Sequence, residues 1–261
     1  MAGLLRAYGG QVRTIEIENV AEAQSLELER LAVAGGDGSI GVAAEIAASR
    51  DVPLAVIPAG TANDFARAVG LPRGVEEACR LAARGDRKRT LELGRMNGRP
   101  FVNVASAGLP PVAAREAQGM KRSLGSLAYA VGAVRAALTS EPTRCAIRCD
   151  DKPFFAGPAW QVTVACSGAF GAGASVAGDP ADGLLDVVVV EAGRRVALLR
   201  RAYGLRTGSI RRQRGVRDRR CESVHIDVPA GTQFNLDGEL CESPGTAEFE
   251  VERGAFEVVV G

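Results

Sequence analysis

The chain has a single histidine, His225, and aromatic residues make up only 5% of it. A lone imidazole argues against a zinc site. The few aromatics leave no interleaved stacking platform for bases, and a net charge of +1 gives no overall pull toward nucleic acid. No apolar run is long enough to span a bilayer. The opening Met-Ala-Gly-Leu-Leu-Arg lacks the apolar core of a signal peptide, so the cytoplasm is the expected compartment. Gly-x-x-x-x-Gly-Lys-Ser/Thr is missing, which excludes a P-loop. Six cysteines are scattered along the chain. Cys145 and Cys149 share one face of an expected strand, but about 13 Å apart, too far to share a metal ion. Buried free thiols are the expectation.

What is present is ordinary in proportion: 46% hydrophobic and 24% charged residues over 261 positions suit one large or two modest globular domains. Leu31-Ala32-Val33-Ala34 reads as a short buried strand stopped by Gly35-Gly36. Ser39 is placed to cap a helix running through Ile40, Val42, Ala43, Ile46 and Ala47. Leu54-Ala55-Val56-Ile57 follows as a second strand, then a helical start at Asp64-Phe65-Ala66 that Gly70 stops. Strand–helix–strand–helix order implies parallel strands, with both glycine loops at their carboxyl ends, where open sheets bind ligands.

After about Asp86 the texture changes to strands between turns: residues 90–93, 101–104, 145–148, 160–164, 185–190, 223–228 and 256–260. One helix is expected over residues 112–138. Residues 194–220 are crowded with arginine and read as an amphipathic helix plus a basic loop, with attraction to anionic lipid headgroups as the functional alternative. The division expected is residues 1–93 as an α/β nucleotide-binding domain and 94–261 as a β-rich lipid-acceptor domain, the last segment packing back on the first.

The chemistry centres on Gly35-Gly36-Asp37-Gly38-Ser39 and Gly60-Thr61-Ala62-Asn63-Asp64-Phe65. Glycine loops leading into helices expose N–H groups where the helix end favours an anion. Their aspartates would repel bare phosphate, so a divalent cation between them is expected. The residues thus suggest a nucleotide-dependent phosphoryl transferase. Gly36-Asp37-Gly38-Ser39-Ile40-Gly41 also fits the dinucleotide pattern, but Ile57-Pro58 stands where an acidic ribose partner would be needed.

Five segments in order resemble the diacylglycerol kinase catalytic-domain family, in particular bacterial YegS-type lipid kinases. They are the two loops, Asn103-Val104-Ala105-Ser106-Ala107-Gly108, Ala181-Asp182-Gly183-Leu184-Leu185-Asp186-Val187 and Phe234-Asn235-Leu236-Asp237-Gly238-Glu239. The resemblance implies an α/β nucleotide domain, related to that of NAD kinases, joined to an antiparallel β-sandwich, with the active site between. It implies ATP held by Gly35, Gly36, Asp37, Gly38, Ser39, Gly60, Thr61, Asn63 and Asp64, with Asp37 and Asp64 on Mg²⁺–triphosphate. It also implies a second Mg²⁺ site on Asp182 and the Leu184 carbonyl, Asp179 being a third candidate ligand; Asp186 could be a plain strand-start residue. Glu239 maps onto the proton acceptor for a lipid hydroxyl, with Asp237 second. The enzyme would work in the cytoplasm, peripheral to the inner face of the membrane, and a homodimer is one option.

The chain departs from that pattern. It starts after the family's opening strand and Asn-Pro-x-x-Gly loop, which is expected to leave a sheet edge unpaired. Gly41 and Val42 replace Asn-Glu, Ser39 replaces threonine, and Ser167 and Pro110 stand where asparagine and aspartate are common. These changes keep open a catalytically impaired nucleotide- or lipid-binding relative; the shared Gly-Gly-Asp-Gly keeps an NAD kinase as a further alternative, against which the Gly-Thr-Ala-Asn-Asp-Phe loop speaks.

Overall fold

The computed structural model describes residues 1–112, 139–166, 169–170, 174–175, 182–195, 197–198, 211 and 213–261. Its first part comprises α1 (Ala2–Ala7), a 3-10 helix (Ile17–Ser25), β1 (Leu31–Gly35), α2 (Asp37–Ser49), β2 (Leu54–Pro58), α3 (Asp64–Ala68) and α4 (Val75–Arg84). β1 and β2 pair in parallel, Leu31 beside Leu54, with α2 as the crossover. Ile40, Ala43, Ala44 and Ala47 of α2 pack on Val33, Leu54, Val56 and Phe65. β1 lies at the end of the sheet. α2 begins at Asp37 with Gly36 in the cap position, so Ser39 sits inside the first turn and does not cap the helix as expected. Its own N–H already bonds the Gly36 carbonyl. α4 escaped the sequence reading, although Gly74 and Gly85 bracket it and Glu76 and Glu77 occupy its first turn.

The remaining strands are β3 (Lys88–Met96), β4 (Arg99–Phe101), β5 (Val104–Gly108), β6 (Thr143–Cys149), β7 (Lys152–Ala165), β8 (Ala169–Phe170), β9 (Ala174–Ser175), β10 (Leu185–Glu191), β11 (Val216–Cys221), β12 (Ser223–Asp227), β13 (Gln233–Leu236), β14 (Glu239–Glu242) and β15 (Thr246–Val259). All except β8 and β9 join one 13-stranded sheet whose path is β1-β2-β15-β12-β6-β7-β5-β13-β14. The antiparallel core gathers Phe101, Phe234 and Phe249, whose rings stand 6.2 Å and 6.1 Å apart in sequence around Phe249. β15 enters both cores. Residues 246–250 pair with β12, residues 249–259 pair with β3 on both sides of a register shift between Glu252 and Phe256, and Val258 lies parallel beside Leu54.

Two expected elements differ. Residues 101–104 do not form one strand, because the run breaks between β4 and β5 where the Asp237 carboxylate takes the N–H groups of Val102, Asn103 and Val104 at 2.6, 3.0 and 2.8 Å. Residues 216–221 form β11 and not a basic loop. Its arginines stack on β7 aromatics, Arg219 at 5.0 Å from the Phe154 ring and Arg217 at 5.8 Å from Phe155. Arg217 also pairs with Glu191, which leaves less of this charge available to a lipid surface. The helix expected over 112–138 lies outside the described residues after Val112. All six cysteines are free, five of them buried. Among the described residues no helix is long and apolar enough to cross a membrane.

Asp237 is half-buried as a residue, yet its carboxyl is desolvated. Burial pushes that carboxyl from the ordinary 3.8 up to about 7, against the lowering by the three N–H donors, and the nearby Asp37 charge adds to the rise. Between the unfolded and folded values the native state holds the extra proton, so stability from this group is lost as pH rises through that window. Urea denaturation at pH 4 and pH 7 checks this: relative to Asp237→Asn, the wild type is expected to lose stability on going to the higher pH, and an unchanged difference contradicts the assignment. Gly94 gives a second check. It pairs with Phe101, and a Cβ there would lie 2.7 Å from the ring's Cε1. Gly94→Ala is expected to cost about 1–3 kcal/mol in the same measurement, because the ring has no free space to retreat into.

Candidate active site

The two glycine loops meet backbone to backbone at the carboxyl ends of β1 and β2. A Cβ on Gly60 would lie 2.5 Å from the Gly36 Cα and 3.2 Å from its nitrogen, so the approach excludes any side chain at Gly60. Gly35 is covered by Ser39, whose Oγ would be 2.8 Å from a Cβ there. This close contact brings the N-terminal turn of the 13-residue α2 beside the second loop.

Polar side chains of the two loops brace the loops themselves. Asp37 accepts the N–H groups of Asp64 and Phe65 at 3.1 and 2.8 Å and the Asn103 Nδ2 at 3.0 Å. It caps α3 from another helix. Asn63, left-handed at φ 49°, closes its own loop: its Oδ1 accepts the Gly60 N–H and its Nδ2 donates to the Gly60 carbonyl, both at 2.9 Å. Asp64 is 5% exposed and pairs with Arg67 one turn on. Thr61 is exposed on the loop. In this arrangement backbone donors and Asn103 engage both Asp37 oxygens, and Arg67 faces the Asp64 carboxylate.

Glu239 arrives from the other end of the sheet. β13 and β14 form a hairpin whose two-residue loop is Asp237-Gly238, both at positive φ (48° and 102°), the conformation that Asp-Gly favours. Asn235 Oδ1 accepts the Gly238 N–H at 2.8 Å and closes the turn. Glu239, exposed at the start of β14, lies against the first loop: a Cβ on Gly38 would be 3.1 Å from its Oε1. Glu239 and the 35–39 turn, about 200 residues apart along the chain, are neighbours in space. Asp237, the second candidate base, has both oxygens engaged by backbone N–H groups, which does not suit it to that role.

The expected metal loop is ion-paired. Asp182 accepts the Leu184 N–H at 3.1 Å and pairs with Arg220; Asp186, buried at the start of β10, pairs with Arg211 and Arg220. Burial raises the Asp186 carboxyl and Arg211 opposes it. Asp179 lies outside the described residues, and among those residues no three acidic, cysteine or histidine side chains gather as metal ligands. As arranged, arginines take up the Asp182 and Asp186 carboxylates. Sequence reasoning missed Arg67, Arg220 and Glu92, the last buried and accepting the Gly183 N–H. An acidic residue between Leu91 and Leu93 was the available signal.

Residues 6–96 match the family model of the diacylglycerol kinase catalytic domain, and residues 103–260 that of the YegS C-terminal NAD kinase beta sandwich-like domain. A diacylglycerol kinase of Bacillus subtilis is 30% identical over 224 residues, covering 84% of this chain and 73% of that protein. In fold, a diacylglycerol kinase structure from Bacillus anthracis superposes with a TM-score of 0.75 at 23% identity, over 96% of this chain and 85% of that one. An NAD kinase from Archaeoglobus fulgidus in complex with ATP superposes with a TM-score of 0.52 at 12% identity, over 89% and 78%. With both halves matched in order, the chain belongs to the diacylglycerol kinase family of YegS-type lipid kinases.

Proposed function

We propose that the protein transfers the γ-phosphoryl group of ATP to a hydroxyl of a diacylglycerol-like lipid, working peripherally at the membrane surface where that acceptor resides. One observation carries the reading: the Glu239 carboxylate lies against Gly38 in the first glycine turn. Abutting glycine loops suit a triphosphate, because backbone N–H groups reach an anion only where side chains are absent. Residues 35–39 and 60–61 would hold ATP, which supplies the phosphoryl group. An alcohol attacks poorly until a base accepts its proton, and Glu239 would take that proton as the oxygen–phosphorus bond forms. ADP leaves and the lipid carries the phosphate.

A second reading, a binding protein without turnover, has its own support in the engagement of Asp37 and Asp64 within the fold. Labelled ATP incubated with the full chain and a panel of diacylglycerol, phosphatidylglycerol, sphingoid base and polyprenol vesicles separates the two. Wild-type transfer is expected, and Glu239→Gln is expected to lower kcat by about 10²–10⁴-fold while retaining the ATP-induced rise in Tm. Equal low rates in both proteins favour the second reading. Gly60→Ala, which drives a methyl into Gly36, is expected to weaken ATP binding by about tenfold or more in the same thermal titration. Unchanged binding would remove the abutting loops from the site.

A further inference from the structure

We propose that Asp237 is a positioning residue for this reaction: its carboxylate clamps the hairpin that carries Glu239 onto residues 102–104, and through Asn103 and Asp37 ties that hairpin to both glycine loops. The proposal deepens the kinase reading and rests on it for its kinetic consequences.

The linkage is continuous. At the hairpin tip, the Asp237 carboxylate accepts the N–H groups of Val102, Asn103 and Val104, while its own N–H donates to the Val104 carbonyl at 3.0 Å. The tip is therefore gripped through side chain and backbone together. The gripped segment contains Asn103, 2% exposed, whose Nδ2 donates to Asp37 Oδ1 at 3.0 Å. Asp37 in turn holds the Asp64 and Phe65 N–H groups at the start of α3. Residue 237 thus sets where residue 239 lies, and residue 103 sets where the turn bearing Gly38 lies. Both are fixed to the same short break between β4 and β5.

The chemistry selects aspartate at this position. Three N–H donors converge on two oxygens. An asparagine would turn an amide N–H against backbone N–H groups, and a glutamate is one methylene too long for a tip locked at φ 48°. The same engagement that makes Asp237 a poor base makes it a rigid strut. A displacement of a catalytic group by about 1 Å lowers rates by about 10²-fold, so the strut acts on turnover through Glu239 without touching substrate.

The test uses the full chain with Asp237→Asn and Asn103→Ala. Site-resolved amide exchange is the first arm. Asp237→Asn is expected to speed exchange about tenfold at Asn103 and also at Phe65, with β7 and β10 protected as in the wild type. Unchanged protection at Phe65 overturns the linkage. Turnover is the second arm. Asp237→Asn is expected to lower kcat by about 10–100-fold with the KM for ATP within about threefold, and to have no further effect in the Glu239→Gln background. A full additional loss in that background means that Asp237 acts independently of Glu239 and overturns the proposal. Where Asp237→Asn fails to fold, Asn103→Ala decides. It leaves the grip of Asp237 in place, so faster exchange at Phe65 and non-additivity with Glu239→Gln support the linkage, and their absence sinks it. Should the wild type transfer phosphate to no acceptor, the kinase reading falls alone and the exchange arm still judges the strut.

Discussion

The site depends on a carboxylate in the first turn of one helix that satisfies the exposed N–H groups of another. α3 has only five residues, too few to persist by its own hydrogen bonds, and Asp37 supplies the acceptors at its start. That bond fixes the spacing of the two loops, and the spacing in turn allows Gly36 and Gly60 to touch through bare backbone. The negative charge is balanced locally by aligned peptide dipoles. Charge that looks destined for a ligand is here part of the scaffold that shapes the ligand's space.

This inversion explains which parts of the molecule were legible in the residues. Glycine and apolar runs speak locally: β1, β2, β10 and the stop at Gly70 follow from short-range pattern, and so do the two loops. Side-chain direction is not local. Asp37, Asn63 and Asp64 were correctly placed at one spot, yet which atoms they bond depends on Asn103, Gly60 and Arg67 in three dimensions. The break in residues 101–104 was illegible because its cause, Asp237, is 134 positions from Asn103 along the chain. β11 hid behind its arginines: Val216-Arg217-Asp218-Arg219-Arg220 carries no apolar alternation, and it is a strand because β10 offers a ladder and Phe154 and Phe155 offer faces for stacking. The hairpin at Asp237-Gly238 did carry its signal, since Asp-Gly between alternating apolar residues is a turn with a mechanism.

Electrostatics repeats one theme across the molecule. Asp186, Asp182, Glu92 and Asp237 are each held by arginines or backbone N–H groups. Such arrangements are costly to desolvate, and they give directional bonds that apolar packing does not. Their concentration along β3, β10 and the β13–β14 hairpin marks where the fold spends stability on precise placement.

The double membership of β15 has a consequence for biosynthesis. Leu54 in β2 and Leu91 and Leu93 in β3 share their core with Phe256 and Val258, which are translated about 200 residues after Leu54 and about 165 after the β3 leucines. A nascent chain holding only the first glycine loops has α2 and α4 to cover β1 and β2 but leaves the β2 edge without its partner strand. The sheet of the nucleotide half is complete only once the final strand has emerged, so its last pairing is made after nearly the whole chain has been synthesised.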